Sequence, residues 1–114
     1  MTDQTIVQFG ILDWDNCHER FGDRPAADAY DTERFQRRAI FYLTQGVYNM
    51  HHAIVEKGDA QSLCESVFFA QGNNPEGEKV VREERSLSIG DLVILGDGSV
   101  WLCAQADWLC LNKE

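Results

Sequence analysis

Cysteine and histidine residues supply the groups in this chain that are best suited to metal binding or nucleophilic catalysis. The chain has four cysteines and three histidines. Structural zinc sites usually contain a close Cys-x-x-Cys pair, and this sequence contains none. Adjacent residues on a strand point to opposite faces of the sheet, so neighbouring pairs rarely share one metal ion. We therefore predict no metal and no cofactor at these positions, which are Cys17, His18, His51, His52, Cys64, Cys103 and Cys110.

A thiol enzyme would need a cysteine beside a base and an orienting acid. Cys17 and His18 have Asp13 and Asp15 nearby in the sequence, so the chemical groups are present. Adjacency in sequence rarely gives the required geometry, however, and nearby carboxylates raise the pKa of a thiol. The same acids with Glu19 lack the glycine and glutamate of a calcium-binding loop. We expect a non-enzymatic protein, and a small metal- or thiol-dependent enzyme is the least favoured alternative.

Negative charge is concentrated at the start of the chain. The net charge is −9, from 19 acidic and 10 basic residues. Residues 1–33 hold eight acids and two arginines, a local balance of −6. Such a surface repels nucleic-acid phosphates, which argues against direct nucleic-acid binding. It suits a basic partner, including a nucleic-acid-binding protein whose phosphate sites it would occupy. The alternative is that the charge only keeps the protein soluble.

Trp14 is the residue of this acidic third that best fits a binding anchor. It lies between Asp13 and Asp15. Tryptophan is enriched at the energetic centres of protein interfaces, and flanking carboxylates would attract a basic partner. The alternative is that Trp14 folds back onto the core. The predicted partner-binding residues are Asp13, Trp14, Asp15 and Glu19, followed by Asp28 and Asp31.

Strand and loop signals alternate along the first two-thirds of the chain. Residues 5–12 are β-branched and aromatic, and residues 48–56 alternate in part, so both segments predict strands. Residues 13–30 are polar with Gly, Pro and many acids, which predicts a loop with at most one short turn of helix. Residues 72–77 are rich in Asn, Gly and Pro and predict a loop.

Two helices are predicted, at residues 33–45 and 60–71. Their expected capping residues are Asp31 or Thr32 and Asp59 at the starts, with Gly46 after the first helix. The residues expected to face inward are Phe35, Ile40 and Leu43 in the first helix and Leu63, Val67 and Phe68 in the second. The residues expected on the outer side of the first helix are Arg34, Arg37 and Arg38.

The last third predicts a three-stranded meander over residues 86–112. A two-residue turn at Asp97-Gly98 would pair Ile94 with Trp101, and one at 106–107 would pair Leu102 with Leu111. One face of the meander would then pack into the core, and the other face would carry too many apolar side chains to be exposed to solvent. We expect a helix to cover that second face, and a partner is the alternative. If a partner covers this face, the apolar interface would contain Ile94, Trp101 and Trp108.

The C-terminal motifs carry a family resemblance. Phe69 near a helix end, Asn73 four residues later, the segment 85–93 (Arg-Ser-Leu-Ser-Ile-Gly-Asp-Leu-Val), Trp101-x-Cys103 and a final Trp108 follow one another. This arrangement resembles small uncharacterised proteins of bacteriophages, plasmids and conjugative elements, similar to YodL-like domains. It covers about residues 48–111, with Leu where the family pattern has its first Val. The resemblance implies a mobile element inside a bacterium and supplies no mechanism, because the family has no established activity.

A length of 114 residues predicts one domain, composed of the acidic third 1–33, a helix-strand-helix region 32–71 and the meander 86–112. The expected fold class is α+β: a mostly antiparallel sheet with two helices packed on one face. The sequence contains no run of about 18 apolar residues, so no membrane span is predicted. The first residues do not resemble a secretory signal. We therefore expect the protein in the cytoplasm of a bacterial host.

These observations favour a non-enzymatic, acidic protein-binding module encoded by a phage or other mobile element. Its expected role is to inhibit a host defence or nucleic-acid-handling protein in the manner of an anti-CRISPR or anti-restriction protein, with its carboxylates mimicking DNA phosphates. The alternative function is an oligomerising structural or regulatory protein that buries the Trp101 and Trp108 face between copies.

Overall fold

A computed structural model describes residues 3–112, in which five strands form one antiparallel sheet and four helices pack against it. The strand order across the sheet is β2-β1-β3-β4-β5. The α+β class is therefore confirmed. The elements are β1 (Gln4–Leu12), α1 (Trp14–Phe21), α2 (Pro25–Asp28), α3 (Thr32–Gln45), β2 (Tyr48–Glu56), α4 (Ala60–Ala70), β3 (Leu92–Ile94), β4 (Val100–Cys103) and β5 (Trp108–Cys110).

Helices cover both faces of the sheet. One core lies between the sheet and α4 and contains Val7, Phe9, Ile11, Ala53, Val55, Cys64, Val67 and Val93. The other lies between the sheet and helices α1 to α3 and contains Leu12, Cys17, Ala29, Phe35, Ala39, Tyr42, Leu92 and Leu102. The expectation that both predicted helices pack on one face is wrong, because the strands carry apolar side chains on both faces and each face needs a cover.

The segment 13–30, predicted to be mostly loop, forms α1 and α2. The Asp13 side chain accepts a hydrogen bond from the Asn16 backbone N–H, and Gly22 ends α1 in the left-handed conformation. Three apolar residues, Trp14, Cys17 and Phe21, recur at the helical spacing within this polar stretch and pack toward the second core. The high density of acids obscured that spacing.

Helix α3 begins and ends as predicted, but its buried face is rotated by about one residue. Asp31 caps its first turn, and Gly46 follows its last residue with φ of +73°. The buried positions are Phe35, Ala39 and Tyr42. Ile40, which was expected to face inward, is instead 47% exposed. Tyr42 takes the inward position, where its hydroxyl donates a hydrogen bond to the Asp23 carboxylate.

Strand β2 and helix α4 also follow their predicted bounds closely. The Asp59 side chain accepts a hydrogen bond from the Ser62 N–H at the start of α4. Of the residues expected to face inward on this helix, Val67 is buried, while Leu63 and Phe68 are half-buried. The bounds of these two elements could be predicted from the sequence because capping and periodicity are local signals.

The register of the meander differs from the predicted one. Ile94 pairs with Val100, and Leu102 pairs with Leu109. The first hairpin has a three-residue loop in which Gly98 has φ of +87° and the Leu95 N–H bonds to the Ser99 carbonyl. The slip of one residue exchanges the faces of β4 relative to β3.

The apolar interface predicted from that register is therefore not one surface. Trp101 pairs with Val93, so Trp101 and Trp108 lie on the α4 side of the sheet and Ile94 lies on the opposite side. Phe68 of α4 meets Trp108 edge-on, with ring centroids 6.3 Å apart. A helix thus covers part of the tryptophan face, as expected.

Candidate functional site

The segment 85–91 (Arg-Ser-Leu-Ser-Ile-Gly-Asp) forms a turn that is held by contacts between its first and last residues. The guanidinium of Arg85 donates two hydrogen bonds to the Asp91 carboxylate, at 2.7 and 2.8 Å. Asp91 is 0% exposed and also accepts the backbone N–H groups of Leu12 and Ser88, at 2.9 and 2.8 Å. Burial raises the pKa of Asp91, and the four donated hydrogen bonds oppose that rise.

Arg85 also attaches this motif to the start of α1. It donates a hydrogen bond to the Leu12 carbonyl at 2.9 Å, and its guanidinium lies 3.8 Å from the centre of the Trp14 ring. Trp14 is half-buried, so its ring is held between the arginine and the second core. The motif therefore positions the tryptophan that the sequence singled out.

Gly90 explains why this motif requires glycine before its aspartate. Its φ of +99° is disfavoured for other residues, and a Cβ there would lie 3.1 Å from the Ala29 Cβ and 3.2 Å from the Phe35 ring. The close approach brings α2 and α3 against the turn that carries Asp91. Any larger residue would push these helices away from the sheet.

A groove of about 240 Å³ opens at the end of β1 and gathers three of the predicted site residues. Its polar lining consists of Asp13, Trp14, Asp15, Asn49, Glu84 and Arg85. We call it the Trp14 groove. Three carboxylates surround one arginine whose charge is offset by Asp91, so the groove favours a cationic group.

The carboxylates of the Trp14 groove are held in different ways. Asp13 is half-buried and caps α1, whereas Asp15 is exposed. Glu84 is paired with the His51 imidazole at 2.9 Å, and His51 in turn lies against the Phe9 ring. Asp15 is thus the groove carboxylate that is freest to meet a partner.

The remaining predicted acids lie elsewhere on the α1 to α3 layer. Glu19 is exposed on α1 and does not line the Trp14 groove. Asp28 and Asp31 line a second groove of about 180 Å³ together with Arg34, Phe35 and Arg38. The arginines of α3 therefore stand beside these acids. The predicted acids thus line two separate grooves, and Glu19 lines neither of them.

One cluster in this layer has no counterpart among the predicted site residues. Asp23 accepts hydrogen bonds from both the Arg38 guanidinium and the Tyr42 hydroxyl. Burial opposes ionisation of Asp23, but these two donors outweigh it and lower the pKa of the carboxyl. The Arg38 guanidinium also lies 4.3 Å from the centre of the Phe41 ring. The only sequence signal was an aspartate directly after a glycine that ends a helix.

The cysteines behave as buried apolar groups. Burial raises the pKa of Cys17 to about 11 and of Cys64 and Cys103 to about 12, so these thiols are neutral near pH 7. The predicted pairing of Leu102 with Leu111 would also make Cys103 and Cys110 cross-strand partners, and this is wrong. Cys103 pairs with Trp108, and Cys110 pairs with Trp101. All four cysteines are free thiols. Across residues 3–112, no three His, Cys, Asp or Glu side chains converge as a metal site.

No family model, curated protein or solved structure matches this chain. Among the helices of the described part of the chain, none is long and apolar enough to cross a membrane.

Proposed function

We propose that this protein is a non-enzymatic, acidic protein-binding module whose Trp14 groove receives a lysine or arginine side chain of a basic partner. The observation that carries this proposal is the convergence of Asp13, Asp15 and Glu84 around Trp14, at a point where Asp91 already offsets the one arginine. A cationic side chain placed there gains two or three carboxylate partners.

The proposed setting follows the resemblance of residues 48–111 to proteins of mobile elements. The module would be encoded by a phage or other mobile element and act in the cytoplasm of a bacterial host. Its partner would be a defence or nucleic-acid-handling protein, whose phosphate-binding groups meet the carboxylates of the module. The arginines beside Asp28 and Asp31 favour a compact contact around Asp13, Asp15, Glu19 and Glu84 over mimicry along the whole acidic third.

Charge reversal at two exposed sites tests the proposal. The wild-type protein, immobilised and exposed to a bacterial lysate, should capture a basic nucleic-acid-binding protein that duplex DNA displaces. The double variant Asp15→Lys/Glu19→Lys should lose that capture, because two attractive charges become repulsive. The matched control is Asp107→Lys, at an exposed acid of the β4–β5 hairpin, and it should capture the partner as the wild type does.

Circular dichroism would establish that each variant is folded before its binding is compared. Capture that survives the double reversal at physiological salt contradicts the proposal. So does a captured protein that is acidic or that DNA does not displace.

A further inference from the structure

Strand β2 forms an exposed edge of the sheet and lacks the usual protection against further strand pairing. It pairs with β1 over nine residues without a bulge, from Gln4–Glu56 to Leu12–Tyr48, and pairs with no other strand in residues 3–112. Its sequence contains no proline and no lysine, the residues that commonly blunt edge strands. The opposite edge, β5, has only three residues. The backbone groups on the outer side of β2 are therefore available to an additional strand.

Helix α4 extends over the position that such a strand would take. A groove of about 780 Å³ lies between β2 and α4, and we call it the β2 groove. Its lining from α4 is Ser62, Glu65, Ser66, Phe69 and Ala70. These positions recur at intervals of three and four, so they form one helix face, separate from the buried Cys64 and Val67. Phe69 on this face is 54% exposed.

The other side of the edge is also apolar. Ile54 of β2 and Ile6 of β1 are cross-strand partners, and they are 66% and 65% exposed. They lie on the face of the sheet opposite α4, beyond the region that helices α1 to α3 cover. A strand added to β2 would thus find Phe69 on one face and Ile54 on the other.

The charges of the β2 groove determine the kind of occupant. Glu56 and Glu65 line it, both are exposed, and neither forms an ion pair within residues 3–112. Lys57 follows the strand but does not line the groove. A second copy of this chain would bring the same two carboxylates and a net charge of −9, which opposes self-pairing. The complementary occupant is basic.

We propose that an extended basic segment of a partner protein pairs with β2 as a sixth strand and lies beneath α4. Its side chains on the α4 face would be small or apolar against Phe69, and those on the other face would contact Ile54. Lysine or arginine residues would meet Glu56 and Glu65. Backbone hydrogen bonds would supply the affinity and the alternating side chains the specificity. The site lies toward the opposite end of β1 and β2 from the Trp14 groove and does not depend on it. Asn49 lines the Trp14 groove and Ile54 lines the β2 groove, five strand residues and roughly 17 Å apart.

A synthetic peptide of four Val-Lys repeats tests this site by nuclear magnetic resonance of the isotope-labelled protein. Binding should shift the amide signals of residues 50–56 and of α4 and slow amide exchange on the outer side of β2. The double variant Glu56→Lys/Glu65→Lys should weaken binding at least about tenfold, because two attractions become repulsions. Glu83→Lys, at an exposed acid that does not line the groove, is the matched control and should bind like the wild type.

A peptide N-methylated at every second residue keeps the charge and composition but cannot pair as a strand, and it should not bind. Equal binding of this peptide, or signal shifts confined to other elements, would overturn the proposal. Sedimentation that finds the free protein dimeric, with the β2 amides already protected, would assign the edge to a second copy and overturn it as well. Asp15→Lys should leave the peptide-induced shifts of α4 and the protection of the β2 amides unchanged, so a failure at the β2 groove is distinguishable from a failure at the Trp14 groove.

Discussion

Two arginine–aspartate pairs in this protein have similar chemistry and different surroundings. In the Arg85–Asp91 pair the aspartate side chain is 0% exposed, whereas in the Arg38–Asp23 pair it is 22% exposed. Each guanidinium also rests against an aromatic ring, that of Trp14 in the first pair and that of Phe41 in the second. The contrast therefore lies in burial and in which segments each carboxylate connects.

Asp91 connects segments that are distant in sequence, and Asp23 secures one helix. Asp91 accepts N–H groups from Leu12 at the end of β1 and from Ser88 in its own turn, so it joins the sheet to the start of α1. Asp23 accepts from two residues of α3 and fixes that helix to the end of α1. Burial makes the first pair indispensable once it is present, since an unpaired buried charge is costly.

The largest expected effect is that of Asp91→Asn. The amide cannot accept all four hydrogen bonds, and it leaves the Arg85 charge without its counter-ion. We expect a loss of about 3–5 kcal/mol in the free energy of unfolding, the range for breaking a buried ion pair. Urea denaturation followed by circular dichroism measures it, with the exposed Asp107→Asn as control.

Asp107→Asn should change the free energy of unfolding by less than about 0.5 kcal/mol. A loss below about 1 kcal/mol for Asp91→Asn would show that the two pairs are energetically alike despite their different burial. The contrast drawn between them would then be wrong.

A smaller effect is expected for Asp23→Asn, about 1–2 kcal/mol, because the buried Tyr42 hydroxyl loses its strongest acceptor while Arg38 stays partly hydrated. Since the pKa of Asp23 is lowered from 3.8, its ionised form stabilises the fold above that pH. This contribution is lost as the pH falls through the folded value. The stability difference between wild type and variant, measured by urea denaturation, should therefore narrow in acid.

Tyr42→Phe provides the matched comparison for this site. If the Tyr42 bond carries the effect of Asp23, the double variant should lose less than the sum of the two single losses. Additive losses, or a difference that does not change between pH 7 and acid, would contradict this assignment.

The features that could be predicted from the sequence are those set by local interactions, such as helix capping. Asp31, Gly46 and Asp59 act within one helical turn, so the ends of α3 and α4 could be placed from the residues alone. Helix α1 was missed because its apolar residues are few among acids. The meander register was missed because it depends on whether Gly98 adopts the left-handed conformation, which lengthens the loop by one residue.

The site was predictable only in part for the same reason. Asp13, Trp14 and Asp15 are consecutive, and their proximity needed no fold. Asn49 and Glu84 reach the same groove from β2 and from the loop before β3, and only the tertiary structure brings them there. Arg85 and Asp91 belong to the motif at residues 85–93, but nothing in their spacing indicates that they bind each other.

The smallest expected effect is a difference in alkylation rate between two buried cysteines, one near each arginine–aspartate pair. Cys17 lies near Asp23 and Asp13, and Cys103 lies near Asp91. Burial, followed by these carboxylates, raises their pKa from 9.0 to about 11 and about 12, so both thiols react only after local opening. We expect alkylation of Cys17 to be faster than that of Cys103, because a short peripheral helix such as α1 opens locally more easily than the central strands of the sheet. A tenfold difference in rate would correspond to about 1.4 kcal/mol in the free energy of opening.

Mass spectrometry of the native protein treated with iodoacetamide at pH 8 resolves the rate at each cysteine, with the half-buried Cys110 as the fast internal reference. Because both pKa values are raised in the folded state, the stability that neutral thiols contribute is complete below pH 9 and is lost as the pH rises through 11 and 12.

Asp23→Asn should speed alkylation of Cys17 and leave that of Cys103 unchanged. Equal acceleration at both cysteines would mean that the two regions open together, as one cooperative unit, and that the Asp23 pair does more than secure α3.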